Sequence, residues 1–164
     1  MYEFDTMEKC IELFRSIGCL GNENNIFFAY KDTAKTTGPA SFLGGAVGAF
    51  ASGMAEGMNH PYDAVIINQT ENGIGMLLLK QQGVVLTYKI EKMFVQKDKF
   101  IFIPYQYISE IKVKKAALLN NKRKSITIST TNGMKYYLLA DIDLPLLPYH
   151  NYGFARFMQR FPEK

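Results

Sequence analysis

The sequence predicts a mainly β domain, an antiparallel meander capped by a C-terminal helix, with a further helix near the N-terminus. Three observations carry that expectation. Short apolar runs recur between Tyr62 and Ala140, separated by Asn72-Gly73, Gln82-Gly83 and Asn132-Gly133, dipeptides that supply the positive φ of tight hairpin turns. The 12 phenylalanines and 10 tyrosines, with no tryptophan, suit a pleated surface. Phe154, Phe157, Met158 and Phe161 fall at three- and four-residue steps, the period of one helical face. With 164 residues, 48% of them hydrophobic, the chain is long enough to bury one sizeable core.

In chain order, Phe4, Met7, Cys10, Ile11, Phe14 and Ile17 align on one face of a first helix. Asp5 or Thr6 is placed to cap its start and Gly18 to end it. Residues Asn25 to Asp32, with Ile26, Phe27, Phe28 and Tyr30, read as a strand. Thr36 to Met58 is rich in small residues. Strands are then expected at Tyr62 to Thr70, Ile74 to Lys80, Val84 to Ile90, and Phe94 to Gln96 with Phe100 to Ile103. Ile108 to Lys115 alternates lysines with apolar residues, as a strand with one wet face does. Ser125 to Thr130 alternates Ile126 and Ile128 with Thr127 and Ser129, and Asn132-Gly133 turns the chain into Met134 to Ala140. Asn151 is expected to cap the last helix and Pro162 to end it.

Composition and motifs narrow the function classes. A formal net charge of +4 is too small to drive nucleic-acid binding unless it is concentrated in a patch, so no nucleic-acid partner is expected. Cys10 and Cys19 lack metal-ligand spacing and read as buried free thiols. His60 and His150 stand alone, without a metalloprotease, nucleophile-elbow or repeated Cys/His pattern, so no catalytic residue, metal or cofactor is expected. Gly44-Gly45-Ala46-Val47-Gly48 lacks the strand-turn-helix context of a nucleotide fingerprint. Asn68-Gln69-Thr70 fits the glycosylation triplet but falls inside a strand. The stretch MYEFDTMEKC has no basic-then-apolar tract, which argues against a secretory signal and for a cytoplasmic protein.

The order of elements from Tyr62 to Phe161 resembles the bacterial pleckstrin-homology-like and GRAM-like domains. The residues that carry the likeness are Ile103-Pro104-Tyr105 with Ile108, the basic strand Ser109-Glu110-Ile111-Lys112-Val113-Lys114-Lys115, and the Thr131-Asn132-Gly133-Met134 turn. The resemblance implies a PH-like bent antiparallel sandwich or partly open barrel plugged by its C-terminal helix, a design used to bind phosphoinositides, peptides or protein domains. It divides the chain into an appendage over 1–61, made of the N-terminal helix, a strand and the Gly-rich segment, and a PH-like domain over 62–164. Tyr62 to Lys80 has no dense Lys/Arg pattern, so no head-group site is carried over.

Two candidate sites follow. Lys112, Lys114, Lys115, Lys122, Arg123 and Lys124 gather around one turn if Ile108–Lys115 and Ser125–Thr130 pair, and such a cluster attracts an anionic membrane. Leu118 and Leu119 at its tip are placed to insert. The competing reading is a solvated hairpin whose lysines deter edge-to-edge aggregation. The second candidate is Gly44, Gly48, Gly53 and Gly57, whose four-residue spacing makes a groove for close helix packing, although the run is too weakly apolar to span a bilayer. Together these predict a non-catalytic module that binds a protein partner or itself, with peripheral contact to anionic membranes. The alternative is a self-assembling structural protein whose oligomer interface is the Gly-rich segment with the first helix.

Overall fold

Residues 2–35, 61–83 and 86–164 are described by the structure, a computed structural model. The candidate packing glycines Gly44, Gly48, Gly53 and Gly57, with His60, lie outside the described residues. The elements are α1 (Met7–Ser16), β1 (Asn25–Lys31), β2 (Ala64–Gln69), β3 (Gly73–Gln81), β4 (Met93–Pro104), β5 (Ile108–Ala117), β6 (Asn120–Thr130), β7 (Lys135–Asp141) and α2 (His150–Arg160). The seven strands form one antiparallel sheet in the order β4-β3-β2-β1-β7-β6-β5. Among the described residues β4 and β5 are its two edges, and the sheet does not close.

Strand β1 lies at the middle of this order. It pairs with β2 over Asn25 to Tyr30 but with β7 only at Tyr30 and Lys31. Its first half therefore parts from β7, and α2 fills the opening. Gly153 makes that approach possible: a Cβ there would lie 1.9 Å from the Ile26 carbonyl oxygen, so the helix rests almost backbone to backbone on the strand. The rings of Phe154 and Phe157 then pack on Phe27, with centroids 5.1 and 4.9 Å away. The apolar stripe expected on the last helix thus covers the parting of the sheet.

The sheet is buried on both faces around β2, whose six residues are all buried. One layer joins Phe27, Val65, Ile67, Met76, Leu78, Ile101, Val113, Ile126, Leu138, Phe154 and Phe157. On the other face, Phe4, Cys10 and Phe14 of the N-terminal region cover Ile26, Phe28, Ile66, Leu77 and Leu79, together with Leu144, Leu147 and Tyr149. Tyr149 donates its hydroxyl to the Phe4 carbonyl at 2.7 Å. An uninterrupted apolar run such as Ala64-Val65-Ile66-Ile67 is what burial on two faces demands. The division expected at 61/62 consequently falls between two paired strands, β1 and β2, and the apolar face of α1 is spent within the chain.

Several local expectations are corrected. Leu86 to Lys89 form no strand; the Gln81 side chain binds the Thr87 carbonyl at 3.0 Å and the Lys89 N–H at 2.7 Å, and Gln81 itself pairs with Met93. The two pieces expected around Phe94 and Phe100 are one strand, and its register shifts where Gln96 to Lys99 bulge opposite Leu78. Asp98 sits there at φ 63°, and a bulge of this kind interrupts an open edge. Gly133 takes positive φ, at 90°, but Gly73 does not; Gly73 is required because a Cβ would meet the Ile103 carbonyl oxygen at 2.3 Å. Thr6 caps α1 by accepting from the Lys9 N–H. Asn151 does not cap α2, since its amide instead binds the Leu144 N–H at 2.9 Å and Asp143 at 2.6 Å.

Candidate functional site

The β5–β6 hairpin is two strands of 10 and 11 residues. Its base is fixed by burial of Ile111, Val113, Ile126 and Ile128. Lys112 pairs with Thr127, Lys114 with Ser125, Lys115 with Lys124 and Ala117 with Asn120, and the register shifts between the last two pairs. Leu118 and Leu119 are therefore the two central residues of the turn. They are 90% and 96% exposed, although nothing about a solvated turn calls for two adjacent leucines.

The six cations expected at this hairpin fall into two groups. Arg123 donates to Asp141 through Nε at 2.6 Å and Nη2 at 3.1 Å, and its guanidinium lies 5.3 Å from the Tyr30 ring centroid. That carboxylate raises the Arg123 pKa further. Lys124 is buried and pairs with Glu163, while Lys112 lies 3.4 Å from Glu110. Arg123 and Lys124 thus tie the hairpin to β7 and to the C-terminal residues, while Lys112 is paired within β5 itself. Lys114, Lys115 and Lys122 are exposed next to the leucine tip. As strand neighbours, Lys114 and Lys115 project from opposite faces, so positive charge flanks the tip on two sides.

His150, Cys10, Cys19 and Asn68 are each buried and engaged in the fold. His150 is fully buried; Nδ1 accepts from the Phe28 N–H at 3.0 Å and Nε2 lies 2.6 Å from the Asp141 carbonyl oxygen. The acceptor role of Nδ1 places the proton on Nε2, and burial holds the pKa below the ordinary histidine value. The thiols of Cys10 and Cys19 are free and buried, and desolvation pushes them up to about 12 and about 11, so both are poor nucleophiles at neutral pH. Asn68 is fully buried, and its amide donates to the Cys19 carbonyl at 3.1 Å and to Asn24 at 2.9 Å, which removes it as a glycan acceptor in the folded chain. Among the described residues no three His, Cys, Asp or Glu side chains group to hold a metal ion, and no helix is long and apolar enough to cross a membrane.

The apolar stripe that marks the last helix in the sequence gives no sign of Arg156 and Arg160, which lie on its exposed side. Their i, i+4 spacing puts them side by side, and they line a recess with Asn25 and Gln69. No protein-family model, curated protein or solved structure matches this chain.

Proposed function

We propose that the chain is a non-catalytic, PH-like binding module that docks peripherally on anionic membranes through the β5–β6 hairpin. The observation that carries this is the adjacent, almost fully exposed pair Leu118 and Leu119 flanked by the exposed Lys114, Lys115 and Lys122. The strand order, with a C-terminal helix on β1, supports the PH-like part of the reading. Each lysine near an anionic surface contributes about 1 kcal/mol, and each leucine taken out of water about 2 kcal/mol. Their sum, about 7 kcal/mol, exceeds the lower estimates of the cost of association by only a few kcal/mol. Binding is therefore weak, reversible and dependent on both contributions.

An aggregation-deterring hairpin explains the lysines but not the leucines, because a charged edge gains nothing from an apolar apex. Co-sedimentation with vesicles of phosphatidylcholine alone and of phosphatidylcholine with phosphatidylserine, at low salt, tests the reading. The expected result is preferential binding to the anionic vesicles that declines as salt is added. Equal binding to both compositions overturns it.

A further inference from the structure

We propose a second, independent site: a recess between α2 and the beginning of β1 that binds an oxyanion, phosphate or carboxylate, borne by a small molecule. The recess measures about 290 Å³ and is lined by Glu23, Asn25, Gln69, Arg156, Gln159 and Arg160.

Its floor is a fixed polar network. Gln69, 2% exposed, accepts from the Asn25 amide and donates to the Tyr105 hydroxyl at 2.8 Å and the Thr70 carbonyl at 3.1 Å. Tyr105 in turn donates its hydroxyl to the Thr70 carbonyl at 2.7 Å. Every polar atom of the Gln69 amide is thereby engaged. Asn25 spends one amide hydrogen on Gln69, and its second remains for a ligand.

The walls are two guanidinium groups. Arg160 lies over the Tyr105 ring, 5.4 Å from its centroid, so the hydroxyl that locks the floor belongs to the same side chain that orients the cation. Arg156 is held against Tyr152, donating to its hydroxyl through Nη1 at 2.9 Å. Neither arginine forms an ion pair among the described residues. Each keeps N–H donors in a planar fork, the geometry that matches carboxylate and phosphate. Glu23 at the rim subtracts one charge from the two, leaving the recess net positive and selecting against cations at its centre. Ordered donors around a pocket cost little reorganisation on binding, which separates this site from a scatter of surface arginines.

The site lies apart from the leucine tip. Tyr105 precedes the start of β5, and the tip follows its end, ten residues later, roughly 30 Å of extended chain. Each site is thus open to test without the other.

The experiment is a two-dimensional NMR titration of the intact chain with sodium phosphate, sodium citrate and, at matched ionic strength, sodium chloride. The readouts are the Nε–H signals of Arg156 and Arg160 and the side-chain amide of Asn25. Saturable shifts with phosphate or citrate but not chloride support the site, and the anion that saturates at the lower concentration identifies the preferred class. Arg160→Gln and Arg156→Gln should each weaken that binding by about tenfold, Glu23→Gln should strengthen it, and Leu118→Ser should leave it unchanged. Backbone amide spectra of the variants confirm that they fold. Shifts that chloride reproduces, or titrations that both arginine variants leave unaltered, overturn the proposal.

Discussion

The Phe28 backbone N–H donates to Nδ1 of His150 at 3.0 Å, a bond between residues 122 positions apart in the chain. It closes a gap in the sheet. β7 pairs with β1 only at Tyr30 and Lys31, so the Phe28 donor would otherwise be buried without a partner, at a cost of about 1 to 3 kcal/mol. The imidazole serves both strands, because Nε2–H donates to the Asp141 carbonyl at the end of β7.

This arrangement predicts a pH-dependent stability. A proton added at Nδ1 would face the Phe28 N–H, and burial already disfavours the charged ring. The folded-state pKa is therefore below the ordinary value of about 6.5. Between the two, the unfolded chain binds more protons than the folded one, so stability rises with pH through that window. It is complete above about pH 6.5 and is lost as pH falls towards the folded pKa. Urea midpoints at half-unit intervals from pH 5 to 8 should show this slope, and His150→Gln should flatten it while lowering stability by about 2 kcal/mol. An equal slope in the variant would exclude His150 as its source.

Gly153 offers a test whose sign decides the matter. In an exposed helix, glycine to alanine stabilises by about 1 kcal/mol. Here the added methyl would meet the Ile26 carbonyl oxygen at 1.9 Å, and neither partner is a flexible side chain. Gly153→Ala should instead destabilise by about 3 kcal/mol as the helix is forced off β1. A raised melting temperature would mean that α2 does not rest on the strand.

What the sequence disclosed and what it withheld divide along sequence distance. Local periodicity was enough to mark α1, α2 and each of the seven described strands, β4 as two pieces, because the apolar spacing is contained in each segment. The place of β1 was hidden, since Ile26-Phe27-Phe28 reads the same in a central strand as in an appended one. Its partners are Val65 to Gln69 on one side and a histidine far along the chain on the other. The lysine cluster was legible as a count of charges, but Asp141 and Glu163, which occupy two of its members, come from β7 and from beyond α2. The exposure of Leu118 and Leu119 followed from the hairpin alone. The arginine recess was not legible, because Asn25, Gln69 and Arg160 share no segment.

The pair of Lys124 and Glu163 ties β6 to the final residues, where the Lys164 N–H also donates to the Val113 carbonyl at 3.0 Å. The Lys124 side chain is 9% exposed and that of Glu163 is 32%. Removing the acid leaves a largely buried ammonium without its partner, so Glu163→Ala should cost about 2 kcal/mol, less than a fully buried pair would. Adding Lys124→Met should recover most of that loss, because an apolar side chain of similar length has no charge to solvate. If the double variant is no more stable than Glu163→Ala, the pair is not the source of the effect. Neither change touches the exposed lysines, and vesicle binding should persist in both.

Separating stability from binding is the sharper test of the hairpin. Leu118 and Leu119 bury almost nothing in the free chain, so Leu118→Ser with Leu119→Ser should shift stability by no more than about 0.5 kcal/mol. On an anionic vesicle the same change removes about 4 kcal/mol of apolar burial, which predicts a loss of binding of about a thousandfold. Replacing Lys114, Lys115 and Lys122 with glutamine should weaken binding as well, and should also abolish its salt dependence, since those charges supply the screened part of the attraction. The leucine variant should keep whatever salt dependence its residual binding shows. If the serine substitutions leave binding intact while the lysine substitutions abolish it, attraction is purely electrostatic and the apex does not insert.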